Sequence, residues 1–189
     1  MNAEIDMSGV VLQTERLILR PWTWDDVEDL YAYASVADVG PRAGWPPHES
    51  VETSRKILGR FIEGKKTFAL EYQGRVVGSL GIERYNETLF PELADVRCRE
   101  IGYVLAKDRW GLGLMPEAVG EALRWLFEDV RLDAALCGHF PGNAQSARVQ
   151  QKCGFRHYAD GTFHTQMGTE QESVYNILWR SEWEAARHG

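Results

Sequence analysis

Two glycines stand directly before a predicted amphipathic helix, in the segment Trp110–Met115 with the sequence WGLGLM. Glycine lets the backbone approach phosphate oxygens closely, and the N-terminus of a helix presents unpaired amides and a positive dipole. We therefore expect this segment to bind a phosphate group through its backbone, at Trp110, Gly111, Leu112, Gly113, Leu114 and Met115. A tight turn between a strand and a helix, without a ligand, is the alternative that two glycines alone allow.

Two familiar phosphate-binding motifs do not fit this segment. It lacks the Lys-Ser/Thr pair that ends a GxxxxGK[ST] nucleotide loop, and Pro116 occupies the third glycine position of the GxGxxG dinucleotide fingerprint. Pro116 is compatible with the first turn of a helix, where a backbone N–H is not needed. The sequence thus favours a phosphate site outside both of those classes.

The hydrophobic pattern around this segment changes repeatedly between the periods of strands and helices. Helices are predicted at 24–35, from Ser50 to about Glu63, after Pro116, and from an Asn143 cap to about Cys153. Strands are predicted at 14–20, in a hairpin of 67–72 and 75–85, at 99–105, at 134–140, and twice after residue 154. We expect an α/β fold with a central, partly antiparallel sheet, formed by one domain at 10–189 after a flexible leader at 1–9.

The composition limits the partners. The chain has 189 residues, 44% of them hydrophobic, and a formal net charge of −7. Nucleic acids and anionic membranes select positive surfaces, so we expect neither as a partner, whereas the charge suits a cationic acceptor such as an amine. The three cysteines have no C-x-x-C spacing, so neither a disulfide framework nor a metal site is expected. No signal peptide or membrane span is visible in the sequence, and a cytoplasmic location is expected.

Four segments, in this order, resemble the GNAT acetyltransferase superfamily and, within it, the RimJ/RimL-like branch that acetylates ribosomal-protein N-termini and other amines. They are TERLILRPW, EIGYVL with RWGLGLMPEA, NAQSARVQQKCGF, and the dipeptide Glu182-Trp183, and together they span residues 14–183. The resemblance implies the GNAT fold, a mixed and mostly antiparallel sheet of about seven strands with one splayed pair, flanked by about four helices.

The resemblance also implies that acetyl-CoA is the cofactor and that its pyrophosphate lies on the glycine loop. Leu112 departs from the family, in which Lys or Arg is frequent at this position. Backbone groups of Tyr103, Val104 and Leu105 are expected to pair with the pantetheine arm, and ordinary sheet pairing is the alternative. Further basic residues, either cofactor ligands or solvated surface charges, are Lys107, Arg109, Arg148 and Lys152.

The same likeness assigns Asn143 to the pantetheine path and Ser146 to the departing thiolate, which its hydroxyl would either protonate or hydrogen-bond. Helix capping is the competing role of Asn143, and Ser146 could be an inert helix position. The candidates for the general base are Glu100, at the start of the cofactor strand, and Glu172, in the late segment. Weaker candidates for the base are Glu83, Asp160, His139 and His164.

Loops after the first helix often line the acceptor side of this fold, so Trp45 and Glu49 are candidates for substrate contact, although Trp45 could equally belong to the core. The leading function is transfer of acetyl from acetyl-CoA to a primary amine, on a protein N-terminus or a small molecule, by direct attack in a ternary complex. Alternatives are an aminoglycoside or polyamine acetyltransferase, a non-catalytic acyl-CoA-binding module, and a structural interaction domain. A homodimer is expected by analogy alone.

Overall fold

The computed structural model describes residues 1–188, which form one eight-stranded sheet flanked by five helices. The strands are β1 (Leu12–Gln13), β2 (Leu17–Arg20), β3 (Thr67–Tyr72), β4 (Arg75–Glu83), β5 (Cys98–Leu105), β6 (Ala134–His139), β7 (Arg156–His164) and β8 (Glu170–Trp179). The helices are α1 (Val27–Ala34), α2 (Val51–Gly64), α3 (Leu114–Glu128), α4 (Ala144–Lys152) and α5 (Arg180–His188).

The strands lie in the order β1-β2-β3-β4-β5-β6-β8-β7, and every neighbouring pair is antiparallel except β5 and β6. The predicted mixed, mostly antiparallel sheet is therefore confirmed. The sheet has one strand more than expected because Leu12–Gln13 pairs with β2 at one edge. The chain also has one helix more than expected, α5, which the sequence patterns do not predict. Trp183 of this helix packs against Phe127.

The helices cover both faces of the sheet, and the alternation of side chains along each strand decides which face a residue meets. Phe68 on β3 contacts Trp125 of α3, with ring centroids 5.7 Å apart, and Tyr103 on β5 bonds to Ser146 of α4. These two helices therefore share one face. α1 packs on β4 and, with α2, covers the other face. Within residues 1–188, no helix is both long enough and apolar enough to cross a bilayer.

Residues 1–9 lie along the sheet, which differs from the flexible leader expected from the sequence. Asn2 pairs with Cys98 of β5, and the side chains of Ala3 and Met7 are buried. Arg99 donates a hydrogen bond from Nε to the Ala3 carbonyl oxygen over 2.6 Å. Because the apolar residues of this segment are few and not periodic, the sequence carries no signal for this packing.

Arg20 connects three elements at the start of α1. Its guanidinium donates two hydrogen bonds to the Asp26 carboxylate, at 2.8 and 2.9 Å, and one to Glu71 of β3 at 2.7 Å. Burial raises the pKa of Asp26, but hydrogen bonds from Arg20 and Thr23 outweigh burial and lower that pKa below its usual value. This cluster joins β2 and β3 to the turn that precedes α1.

We expect Arg20→Met to lower the free energy of unfolding by about 2–3 kcal/mol, because it leaves the buried Asp26 carboxylate without its ion-pair partner. Arg75→Met is the matched control, since Arg75 pairs with Asp29 at the surface and its side chain is 71% exposed. The control should change the free energy by no more than about 0.5 kcal/mol. Urea denaturation at pH 7 measures both changes, and equal losses would contradict this role of Arg20.

Candidate active site

A cavity of about 940 Å³ opens where β5 and β6 separate. β6 pairs with β5 only through Cys98–Glu100 and Ala134–Leu136. Beyond these residues β6 continues beside β8 to His139, and β5 continues beside β4 to Leu105. The backbone at 101–105 therefore has no strand partner on the β6 side, and an extended ligand can pair with it.

Backbone groups of β5 alternate between the β4 side and this opening. The Ala106 amide donates to a carbonyl oxygen on the β4 side at 2.7 Å, so Val104, two residues earlier, also faces β4. Tyr103 and Leu105 then direct their backbone groups into the opening, where the Leu105 carbonyl accepts a hydrogen bond from Trp110 Nε1 at 2.8 Å. Of the three predicted pantetheine contacts, the Tyr103 and Leu105 amides face the opening and the Val104 backbone does not.

The glycine loop follows β5 and leads into α3. Gly111 and Gly113 adopt left-handed conformations, with φ of 79° and 77°, and the helix begins at Leu114. Within residues 1–188, none of the five successive amides of Gly111–Met115 donates a hydrogen bond to a carbonyl oxygen or a side chain. Five unpaired donors and the dipole of α3 suit an anion, as the two glycines predict.

Arg16, directly before β2, connects this loop to α3 by hydrogen bonds. It donates a hydrogen bond from Nη1 to the Leu112 carbonyl oxygen at 2.9 Å and another from Nε to Glu117 of α3 at 2.7 Å. Glu117 also accepts a hydrogen bond from the Thr14 hydroxyl. Sequence analysis did not single out Arg16, because its partners lie 96 and 101 residues away. A signal for Arg16 was present in the sequence, because Arg16 belongs to TERLILRPW, one of the four segments that carry the family resemblance.

Basic side chains line the cavity, and some of them lie near the glycine loop. Arg42, which sequence analysis did not single out, has its guanidinium carbon 5.1 Å from the centroid of the Trp110 ring. Lys107 does not line the cavity and forms an exposed ion pair with Asp38. Leu112 is 46% exposed at the surface of the loop. The Lys and Arg residues that line the cavity are Arg42, Arg60, Arg84, Arg109, Arg148 and Lys152.

Ser146 belongs to a chain of hydrogen bonds between α4 and the sheet. Its hydroxyl lies 3.0 Å from the Tyr103 hydroxyl and accepts a hydrogen bond from Gln150 Nε2 at 3.2 Å. Gln150 also donates to the Gly138 carbonyl oxygen at 3.1 Å and accepts from Asn176 Nδ2. Burial raises the pKa of Tyr103 far above its usual range, so its hydroxyl stays protonated. Ser146 is therefore held in one place and is not an inert helix position.

Asn143 has the structural role that sequence analysis weighed as an alternative. Its Oδ1 accepts a hydrogen bond from the Ser146 amide at 3.2 Å, which caps α4, and its Nδ2 donates to the Arg42 carbonyl oxygen at 3.3 Å. The side chain also lines the cavity. Asn143 therefore caps α4 and also lines the cavity, and its role on the pantetheine path stays a prediction.

Glu100 lines the cavity, and its carboxylate has no hydrogen bond or ion pair with any residue in 1–188. Burial, and to a lesser extent the charge of Glu83, raise the pKa of Glu100 to about 7. Glu83 stands directly opposite Glu100 across β4 and β5, and its own carboxylate pairs with Lys66 at 2.8 Å. A carboxylate that is unpaired and titrates near neutral pH is suited to general-base chemistry.

The structure does not place Glu172 in the cavity, which corrects its selection as a candidate base. Glu172 is exposed on β8, whereas the next residue, Ser173, lines the cavity. Successive side chains of a strand point to opposite faces, and the sequence of this segment does not indicate which residue faces inward. Of the weaker candidates, two line the cavity, Glu83 and His139, and two are exposed on β7, Asp160 and His164.

Trp45 and Glu49 both line the cavity, from the loop between α1 and α2. Trp45 also packs against the main hydrophobic core, so the two roles that sequence analysis considered coincide. The backbone of this loop is tied to the β7–β8 turn by a hydrogen bond from the Gln166 amide to the Gly44 carbonyl oxygen at 2.7 Å. The loop therefore forms a fixed wall of the cavity.

Comparison with known proteins agrees with this geometry. The protein named Uncharacterized N-acetyltransferase YoaA, from Bacillus subtilis, is 31% identical over 179 residues, which cover 89% of this chain and 96% of that protein. A GNAT-family acetyltransferase structure from Bacillus anthracis has a TM-score of 0.76 at 24% identity, covering 91% of this chain and 99% of that one. Ribosomal-protein-S5-alanine acetyltransferase from Vibrio fischeri has a TM-score of 0.69 at 19% identity, with coverage of 92% and 98%.

A family model for the acetyltransferase (GNAT) domain matches residues 16–156, which include the whole of β5, the glycine loop and α4. This match and the identity with the Bacillus subtilis relative show that the chain belongs to the GNAT family of N-acetyltransferases.

Proposed function

We propose that this acetyltransferase moves an acetyl group from acetyl-CoA to a primary amine, and that the natural acceptor is a protein N-terminus. The observation that carries the proposal is that one cavity is lined by four of the five residues with unpaired amides at Gly111–Met115, all except Leu112, and by Glu100, whose carboxylate is unpaired. The first group suits an anionic carrier, and the second suits an amine that must lose a proton.

The glycine loop and the basic residues near it fit coenzyme A. Its pyrophosphate would accept hydrogen bonds from the glycine-loop amides, with Arg109, Arg148 and Lys152 adding positive charge. Its pantetheine amide groups would pair with the open edge of β5 at Tyr103 and Leu105. When bound, acetyl-CoA supplies an acetyl group activated as a thioester.

Glu100 and Ser146 approach the cavity from opposite faces of the sheet. In the register of β4 and β5, Glu100 shares a face with Glu83 and lies opposite to the face of Tyr103, which contacts Ser146. We propose that the Glu100 carboxylate accepts the proton that the incoming ammonium group must lose. The Ser146 hydroxyl would stabilise the leaving sulfur by donating a hydrogen bond to it, and the half-buried Tyr103 hydroxyl lies 3.0 Å from Ser146 Oγ.

The preference for a protein N-terminus rests on the RimJ/RimL-like motifs and on the name of the Vibrio fischeri structure. Polyamines and aminoglycosides are the rival acceptors, and a non-catalytic acyl-CoA-binding module is the rival from another class. A homodimer and a cytoplasmic location stay predictions; the latter rests on the cysteines, which are all free in the structure.

The first test measures melting temperature with saturating acetyl-CoA, and then thiol release with N-terminal peptides, polyamines and aminoglycosides. We expect a rise in melting temperature of several degrees and turnover with peptides. Ligand-induced stabilisation without turnover on any acceptor would favour the binding module. No stabilisation at all would overturn the assignment of the glycine loop.

We expect Leu112→Lys to lower the Kd for coenzyme A by roughly two- to fivefold, because a positive charge beside the phosphates is worth about 0.5–1 kcal/mol at an exposed site. Leu112→Gln is the control, since it removes the same apolar surface without adding charge. Titration calorimetry at two salt concentrations measures the effect. A gain that is equal for both variants, or that does not decrease with salt, would count against a nearby phosphate.

We expect kcat/KM to rise with pH through about 7, because Glu100 accepts a proton only when ionised and its pKa is raised to about 7. Glu100→Gln should lower kcat by roughly 10²- to 10⁴-fold and remove this limb of the pH profile. A Gln variant with wild-type kcat would exclude Glu100 as the base.

Glu83→Gln should shift the same limb to lower pH, because it removes the like charge that raises the pKa of Glu100. Lys66→Gln is the matched control: it breaks the same Lys66–Glu83 ion pair but keeps the negative charge. The control should leave the limb in place or move it to higher pH. Shifts in the same direction for both variants would indicate an indirect effect of the lost ion pair.

A further inference from the structure

One loop contributes residues to both the acceptor side and the cofactor side of the cavity. It is the segment 40–49 between α1 and α2, which we call the strap. Its residues Trp45 and Glu49 line the cavity and are the candidates for acceptor contact. The strap also carries Arg42, whose guanidinium lies over the ring of Trp110, the first residue of the glycine loop. The strap therefore links the two proposed substrate sites.

The backbone of the strap is attached to two other elements. The Arg42 carbonyl oxygen accepts a hydrogen bond from Asn143 Nδ2 at 3.3 Å, and the Gly44 carbonyl oxygen accepts one from the Gln166 amide at 2.7 Å. Gly44 has a left-handed φ of 84°, and a Cβ atom there would lie 2.7 Å from Phe163 Cε1. Glycine avoids both the strain and the clash, so the strap lies close to α4 and to the β7–β8 hairpin.

The Arg42 side chain, in contrast to its backbone, has few partners. Within residues 1–188 its guanidinium forms no ion pair, and its one hydrogen bond goes from Nη1 to Gln145 Oε1 of α4 at 3.4 Å. Asp38 is not its partner, because the pKa of Asp38 is lowered mainly by the ion pair with Lys107 and only slightly by the charge of Arg42. Since a guanidinium has five N–H donors, most of those of Arg42 are free to bind a ligand.

The position of this cation matches the anionic part of the proposed cofactor. The Trp110 ring is held beside Leu105 by the hydrogen bond from its Nε1, and the unpaired amides begin at the next residue, Gly111. In the proposed function the pantetheine arm lies at Leu105 and the pyrophosphate at the amides. The segment Gly111–Met115 carries no positive side chain of its own. A guanidinium over Trp110 can therefore supply the missing charge, through charge-assisted hydrogen bonds from its free edge.

We propose that Arg42 binds the pyrophosphate of coenzyme A, and that this contact makes the cofactor a third support of the strap, beside Asn143 and Gln166. Arg42 is then a cofactor-binding residue that also positions the loop carrying Trp45 and Glu49. The bound cofactor thereby reduces the motion of the acceptor side of the cavity. This inference rests on the proposed function, since it requires coenzyme A in this cavity.

The first measurement is the Kd for coenzyme A by titration calorimetry. Arg42→Gln should raise this Kd about five- to twentyfold, because a charge-assisted contact with phosphate is lost. Dephospho-coenzyme A keeps the pyrophosphate and lacks the 3′-phosphate, so it should show the same loss. Arg55→Gln is the matched control, since Arg55 is exposed on α2 and does not line the cavity. It makes the same change in charge and should raise the Kd less than about twofold.

The second measurement is amide hydrogen exchange, followed by mass spectrometry with and without saturating coenzyme A. In the wild type, coenzyme A should slow exchange both in peptides from the glycine loop and in peptides from the strap, 40–49. In Arg42→Gln, at a coenzyme A concentration raised until the site is again saturated, only the glycine-loop peptides should be slowed. Equal slowing of the strap in both proteins would contradict the coupling through Arg42.

Two further variants separate affinity from coupling. Leu112→Lys, added to Arg42→Gln, should return the Kd toward the wild-type value, because it places a positive charge on the glycine loop. It should not restore slow exchange in the strap, because Leu112 does not belong to the strap. Arg42→Lys should keep part of both effects, since lysine keeps the charge and loses the bidentate geometry. Recovery of strap protection through Leu112→Lys would show that occupancy alone steadies the strap, against this inference.

Two results would overturn this inference and leave the proposed function standing. One is an equal Kd for coenzyme A in the wild type and in Arg42→Gln. The other is a loss of affinity for coenzyme A but not for dephospho-coenzyme A, which would place Arg42 at the 3′-phosphate. Absence of coenzyme A binding by the wild-type protein would overturn the proposed function and this inference with it.

Discussion

β5 and β6 pair in parallel over three residues and then separate, and this loss of pairing is the constraint on which the rest of the structure depends. Each strand remains paired on its other side, β5 with β4 and β6 with β8, so both strands stay ordered where they separate. Its unpaired backbone groups need partners, which a ligand with amide groups of its own can provide. The gap also connects the two faces of the sheet, so residues from α4 and from the loop after α1 reach one cavity.

The cavity separates two kinds of electrostatic environment within a chain of net charge −7. At the α3 end, unpaired amides and basic side chains create a positive region, and the amides do so without altering the net charge. At the β4 end the carboxylates of Glu83 and Glu100 stand opposite each other, Lys66 pairs with Glu83, and the Arg84 side chain also lines the cavity. The overall acidity of the chain therefore disfavours polyanionic partners in general, while the loop still suits one particular anion.

Local patterns were sufficient to predict the features that depend on neighbouring residues in the chain. The glycine loop, the strand at β5 and the Asn143 cap of α4 all depend on residues within a few positions of each other. Features that depend on tertiary contact were not predictable. The hydrogen bond from Arg16 to the glycine loop is one case. The direction of Ser173 is another: it faces the cavity and Glu172 does not, because the pairing of β8 in the sheet decides which alternate residues point inward.

The hydrogen-bond chain of Tyr103, Ser146, Gln150 and Asn176 restricts which single substitutions the protein tolerates, because two of its members are buried and two are half-buried. Its members come from β5, α4 and β8, and each satisfies a polar atom of the next. Replacing one by an apolar residue strands a donor or an acceptor in the interior, which is more costly than replacing adjoining members together. A substitution at one of these positions is therefore better tolerated together with a matching change at its hydrogen-bond partner, although Asn176 lies 73 positions after Tyr103 in the chain.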